Sequence, residues 1–228
     1  MRRKPTVEWM MNDSEHDHAM GRILREYSAI VLRPEDFPGR IDRARVFGRL
    51  GPFHIEIGSG KGTFLVQEAQ AHPEVDYLGI EWASKFYRYA VDRLGRWGLA
   101  NVRIIRADAA TFLREHVPAA SVDCFHIYFP DPWPKKRHHK RRFVRQDNVE
   151  MLIACLKPEG RIQMATDHAE YFEQMRQVTS ALCDELEEAE FVRPAGAAGE
   201  ELTGTNYERK YIKDRRPIHV LAFRRKRV

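Results

Sequence analysis

Glu56-Ile57-Gly58-Ser59-Gly60-Lys61-Gly62 decides how the rest of the chain is read. An apolar run, Phe53–Ile57, leads into the glycines, and a helix is expected to open behind them. Glycines at alternate positions let the backbone turn tightly and approach a ligand where a Cβ would intrude. Two similar patterns fail, the first at one position and the second at two. A dinucleotide fingerprint GxGxxG needs a glycine where Thr63 stands, and a P-loop GxxxxGK[ST] needs other residues than Ile55 and Gly62. A nucleoside-like ligand after a first strand is the reading left, with a ligand-free structural turn as its alternative.

Outward from this loop the pattern is regular. Apolar runs at Tyr77–Ile80, Val102–Ile105, Val122–Phe129, Arg161–Ala165 and Ile218–Phe223 read as further strands. Between them, helical stripes are formed by Phe86, Tyr89, Ala90, Leu94 and Trp97, by Val149, Leu152, Ile153 and Leu156, and by Tyr171, Phe172, Met175, Val178 and Leu182. These stripes are expected to face the core, and Lys157-Pro158-Glu159-Gly160 to end a helix. Such alternation predicts an α/β fold with a mostly parallel sheet covered on both faces. Ligands then bind at the carboxyl ends of the strands, where strand order reverses. Residues 1–45 show no clean period and are expected to be a flexible N-terminal extension, with one domain over residues 46–228. Pro194-Ala195-Gly196-Ala197-Ala198-Gly199 reads as a mobile loop.

The 228 residues suit a single core, and 43% apolar with 31% charged residues argues against disorder. No apolar stretch is long enough for a membrane span, and the basic start Arg2-Arg3-Lys4 has no apolar segment behind it. Cys124, Cys155 and Cys183 are far apart and form no CxxC pair, so they are expected to be core residues of a cytoplasmic protein. His16 and His18 read as solvated. Net charge is 38 − 33 = +5, with seven Lys or Arg among the thirteen residues 133–145 and a basic run at Arg224–Arg227. Both stretches are expected to face a polyanion, while the segment from Asp184 to Glu190 is acidic.

Glu81 ends the second of these strands and Asp108 follows the third, in Arg106-Ala107-Asp108-Ala109. With Glu56 they place three acidic residues at successive strand ends. They disfavour a phosphate ligand and suit adenosine joined to a cationic sulfonium. This arrangement resembles class I methyltransferases, which have a Rossmann-like, mostly parallel seven-stranded sheet. The resemblance implies that Glu56, Gly58, Gly60, Gly62, Glu81 and Asp108 bind S-adenosyl-L-methionine, with no metal required.

A second segment, Phe129-Pro130-Asp131-Pro132-Trp133-Pro134-Lys135-Lys136-Arg137-His138-His139-Lys140-Arg141-Arg142, closes the strand Val122–Phe129. Two prolines fix φ on either side of Asp131 and hold its carboxylate in a stiff loop, beside which Trp133 or Phe129 can stack on a planar base. This segment, with Ala165-Thr166-Asp167-His168 and Thr205-Asn206-Tyr207-Glu208, resembles the tRNA (guanine-N7-)-methyltransferase family over roughly residues 50–225. The resemblance implies a tRNA substrate methylated at guanine 46 of its variable loop. It assigns cofactor contact and catalysis to Asp131. Substrate contact falls to Lys135, Asp167, Thr205, Asn206, Tyr207 and Glu208, and RNA contact to Arg137, His138, His139, Lys140, Arg141 and Arg142. Asn206 and Tyr207 depart from the Thr-Lys-Phe-Glu of many members. The expected assembly is a monomer or homodimer. Two alternatives stand beside it: a methyltransferase of another RNA, and a catalytically silent RNA-binding protein.

Overall fold

The computed structural model of the chain describes residues 25 and 27–227, so His16, His18 and the basic start lie outside the described residues. Its strands are β1 (Val31–Leu32), β2 (Phe53–Ile57), β3 (Asp76–Ile80), β4 (Val102–Ile105), β5 (Val122–Tyr128), β6 (Leu156–Thr166), β7 (Leu186–Glu188) and β8 (His219–Arg225). Its helices are α1 (Arg43–Phe47), α2 (Thr63–Ala71), α3 (Ser84–Trp97), α4 (Ala109–His116), α5 (Gln146–Cys155), α6 (Ala169–Ser180) and α7 (Asn206–Lys213).

The strands form one sheet in the order β1-β4-β3-β2-β5-β6-β8-β7. Pairings from β1 through β6 are parallel, and β8 runs antiparallel to both β6 and β7. Alternation along each strand divides the core in two. Phe53, Ile55 and Ile57 of β2 join Phe125 and Ile127 of β5 and the apolar sides of α4, α5 and α6 on one face. Phe64 and Leu65 of α2, Leu94 of α3, and Tyr77 and Tyr128 pack together on the other. Each such side chain fully buried stabilises the fold by about 1.5–3 kcal/mol.

Several expectations change. Among the described residues the sheet has eight strands, not seven, and it begins before residue 46: β1 pairs with β4, and Ile30 and Ile41 are buried. A two-residue strand has no readable period, and it exists because the edge of β4 offers it a partner. Helix α5 ends at Cys155 just ahead of Lys157-Pro158-Glu159-Gly160, as expected, but that stretch is not a turn: it lies inside β6, where Glu159 takes φ 67 and the register against β5 shifts. Pro158, which has no N–H to donate, is tolerated at such an irregularity. Trp97 is 55% exposed in the last turn of α3, just before the left-handed Gly98 cap, and is not a core residue. Cys183 is exposed, unlike Cys124 and Cys155.

The C-terminal basic run also differs. Antiparallel pairing sets β8 against the acidic β7, so Arg224 binds Glu187 and Glu159, and Arg227 binds Glu159. These arginines answer the protein's own carboxylates. The Pro194–Gly199 stretch is tied down, with the Ala195 N–H donating to buried Glu68.

Gly79 shows how closely α2 lies on β3. A Cβ there would sit 2.5 Å from Leu65 Cδ1 and 2.6 Å from Ser59 Oγ. Gly79→Ala is expected to lower the unfolding free energy by about 1–3 kcal/mol through overpacking. Urea denaturation checks this, and unchanged stability would contradict the close fit.

Candidate active site

The three glycines carry left-handed backbones, with φ of 80 at Gly58, 53 at Gly60 and 69 at Gly62. Gly58 and Ser59 donate their N–H groups to the Ile80 carbonyl, so the loop folds over the end of β3. Glu81 completes the turn: one carboxylate oxygen accepts the Gly60 N–H at 2.8 Å and the other the Ala83 N–H at 2.7 Å. Burial raises the pKa of Glu81, and these hydrogen bonds oppose the rise. Glu56 is more extreme. It is buried, its Oε2 has no hydrogen-bond partner among the described residues, and its pKa is pushed up to about 8 by burial, with Glu81 and Glu68 adding repulsion.

Two cavities open here. One, of about 460 Å³, is lined by Glu56, Lys61, Phe64, Asn206 and Lys210 among others. The other, of about 400 Å³, is lined by Glu81, Asp108, Phe129, Asp131, Trp133 and Arg141 among others. Gly58, Gly60, Phe86, Tyr128 and Tyr207 line both, which makes them halves of one cleft. The cleft lies at the carboxyl ends of β2 and β5, where strand order reverses. Tyr207 stands at the division: a Cβ on Gly60 would lie 3.8 Å from its ring.

The proline loop is bracketed by two strained residues. Phe129 has φ 51 and Trp133 φ 44, an unfavourable conformation for bulky side chains that costs about 1–3 kcal/mol each. Between them Asp131 is exposed to the cleft. Lys136–Arg141 forms a short 3-10 helix with no buried residue. Arg141 lies over the Trp133 ring at 4.9 Å, and His138 meets that ring edge-on. His139 is paired with Glu170, while Lys135, Arg137 and Lys140 are exposed. Arg142 departs from its expected place on an RNA-facing surface. It is 2% exposed, donates from Nε to the Pro132 carbonyl at 2.7 Å, and lies over Tyr171.

Helix α7 forms one wall of the cleft. Thr205 caps it, accepting the Glu208 N–H. The buried Glu208 carboxylate accepts the N–H groups of Leu202, Thr203 and Gly204 and the Thr203 hydroxyl. Thr-x-x-Glu is thus a variant of the capping box, its glutamate reaching back to the loop before the cap. Of these two residues, both expected at the substrate, Glu208 lines neither cavity and holds the loop before α7, while Thr205 both caps the helix and borders the first cavity. Asp167 also lines neither cavity; it accepts from Arg216, which lies over Tyr211. Asn206 donates to the Thr63 hydroxyl and ties α7 to α2. Asp108 caps α4 through the Thr111 N–H while facing the second cavity.

Sequence reasoning passed over Ser59, Lys61, Phe86, Arg93, Tyr128 and Lys210, which line the first cavity. Phe86 was legible only as one member of a core stripe, and Lys61 only as a failed P-loop lysine. Behind the cleft, Tyr128, His126 and His54 form a hydrogen-bonded chain, with His126 using both ring nitrogens and Cys124 close by. Burial lowers His54 to about 4 and raises the Cys124 thiol to about 12, so these groups are neutral core partners.

Glu208→Ala is expected to strip the acceptor from the 202–204 loop and lower the unfolding free energy by roughly 3 kcal/mol, since buried donors are left unpaired. Chemical denaturation measures this. A loss under about 1 kcal/mol would mean the carboxylate does not hold the loop.

Against known proteins, the family described as "Putative methyltransferase" matches residues 51–221. The tRNA (guanine-N(7)-)-methyltransferase of Alkalilimnicola ehrlichii is 40% identical over 186 residues, covering 82% of this chain and 78% of the relative. That of Rhodopirellula baltica is 39% identical, covering 67% of this chain and 58% of the relative. Among solved structures, a 30S ribosomal A1408 methyltransferase from an uncultured bacterium superposes with TM-score 0.53 at 13% identity, covering 80% of this chain and 91% of that one. That likeness speaks to the fold alone: a class I methyltransferase sheet. Sequence similarity reaches further, and on it this chain belongs to the tRNA (guanine-N(7)-)-methyltransferase family.

Proposed function

We propose that this chain transfers the methyl group of S-adenosyl-L-methionine to N7 of guanine 46 in the tRNA variable loop. The observation that carries this reading is the placement of Asp131, held on a strained proline loop, in the same cleft as the glycine loop and Glu56. The cofactor supplies an electrophilic methyl group on a cationic sulfur. Glu56 fits such a ligand, because it lines the cleft and its buried carboxylate, one oxygen of which has no hydrogen-bond partner among the described residues, favours a positive charge beside it. The left-handed glycines bring backbone close to the ligand, and Glu81 and Asp108 present carboxylates to its hydroxyl and amino groups.

Guanine N7 carries a lone pair in the neutral base, so attack needs no prior deprotonation. Asp131 accepts a hydrogen bond from the base edge and offsets the positive charge that grows on the ring. Trp133 or Phe129 stacks on the base, which is recognised as a splayed-out nucleotide. Lys135, Arg137, Lys140 and Arg141 bind phosphates, with His138 and His139 beside them; such contacts position the RNA without specifying its sequence. Tyr207, on the wall dividing the cleft, and Asn206 border the substrate.

Incubation of unmodified tRNA transcript with labelled S-adenosyl-L-methionine, followed by mapping of the product, tests the reading. Label at guanine N7 of position 46 is expected; no incorporation, or label elsewhere, overturns it. Asp131→Ala with the fold intact is expected to lower turnover by about 100- to 1,000-fold.

A pH dependence follows from Glu56. Its pKa of about 8 means that it holds its proton at neutral pH. A cation placed beside it favours the carboxylate, so binding expels that proton. Cofactor affinity should therefore fall as pH drops below about 8, by up to about tenfold per pH unit. Calorimetric titration of the wild type and Glu56→Gln checks this. A pH-independent affinity in the wild type would contradict the assignment.

A further inference from the structure

We infer that Arg142 is a positioning residue for the Asp131 loop, governing turnover and not RNA affinity. Pro130, Pro132 and Pro134 leave this stretch without three N–H donors, so its own backbone can do little to hold it. Phe129 and Trp133 on either side are in left-handed conformations that an unsupported loop would relax. Arg142 supplies the support. Its Nε donates to the carbonyl of Pro132, the residue next to Asp131, at 2.7 Å.

The guanidinium is itself anchored by α6. Nη1 donates to Gln174 Oε1 at 2.7 Å, and the group lies 4.9 Å over the Tyr171 ring. Gln174 and Tyr171 in turn bind the Val144 carbonyl and N–H, so α6 also grips the chain two residues past Arg142. With its side chain 1% exposed, this cation has no surface to offer a phosphate. Its neighbour Arg141 is exposed at the mouth of the cleft, over Trp133. Adjacent arginines thus divide the work, one holding the loop from beneath and one facing the RNA.

The inference rests on Asp131 acting at the base, and the test separates the two ideas. Steady-state kinetics and the salt dependence of tRNA binding are measured for Arg142→Ala, Arg142→Lys, Gln174→Ala, Arg141→Ala, Asp131→Ala and the Asp131→Ala/Arg142→Ala double variant. Folding is monitored by circular dichroism. Arg142→Ala is expected to lower kcat by about 10- to 100-fold, the scale of loss for a small misplacement of a reacting group. KM for tRNA and the salt slope should stay at wild-type values. Arg142→Lys, which keeps one donor, and Gln174→Ala, which loosens the anchor, should lose less and carry the test if the alanine variant unfolds. Arg141→Ala should instead raise KM and flatten the salt slope.

The double variant should turn over no more slowly than Asp131→Ala, because both changes remove one function. A raised KM with flattened salt slope and intact kcat in Arg142→Lys and Gln174→Ala would overturn the inference. So would multiplying losses in the double variant. Near wild-type turnover in Asp131→Ala would strike at the role of Asp131, and a kcat-only loss in Arg142→Lys would then still place Arg142 under the loop.

Discussion

Parallel strands cannot be joined by tight turns, and that constraint shapes the rest of the molecule. Each parallel pair needs a crossover, so the chain builds outward from β2 through β3 to β4, then returns to lay β5 and β6 on the other side. Where the two directions part, the carboxyl ends of β2 and β5 release their loops away from one another and leave a crevice. The glycine loop leaves β2 and the proline loop leaves β5, so the two loops meet at one cleft although more than sixty residues separate them in the chain.

Buried charge then decides what each loop does. Glu81, Glu208 and Arg142 are three ionisable groups taken out of water, and each binds backbone of a loop or turn at the cleft. Their desolvation is offset by hydrogen bonds with fixed backbone groups, accepted by the two carboxylates and donated by the guanidinium, and the loops gain rigidity in return. Glu56 differs, a carboxylate lining the cleft with one oxygen that finds no hydrogen-bond partner among the described residues. Most buried polar groups in proteins are satisfied, so an unpartnered carboxylate oxygen on a cleft-lining residue stands apart from the carboxylates of Glu81 and Glu208.

The comparison of neighbouring residues shows how far chemistry can be inferred from type alone. Arg141 and Arg142 are indistinguishable in a basic run, yet one faces the cleft and the other is enclosed between the proline loop and α6. Thr205 and Glu208 match a family motif, and the local geometry makes them a helix cap and a loop clamp. The Arg224–Arg227 run looks like a polyanion site until β7 sets Glu187 beside it.

By itself the sequence determined what is local. Glycine at 58, 60 and 62 follows from backbones with positive φ, proline at 130 and 132 stiffens the loop around Asp131, and period-2 and period-3.6 patterns place most of the strands and helices. The acidic residues at strand ends were legible for the same reason, since each belongs to a short motif. Tertiary structure alone decided what depends on partners distant in the chain. The two-residue β1 exists only against β4, Phe86 becomes a cavity wall only when α3 packs beside the glycine loop, and Arg142 is buried only because α6 closes over it. Burial, ion pairing and pKa are properties of the assembled surroundings. A residue's own type and spacing carry no record of which neighbours the fold will bring.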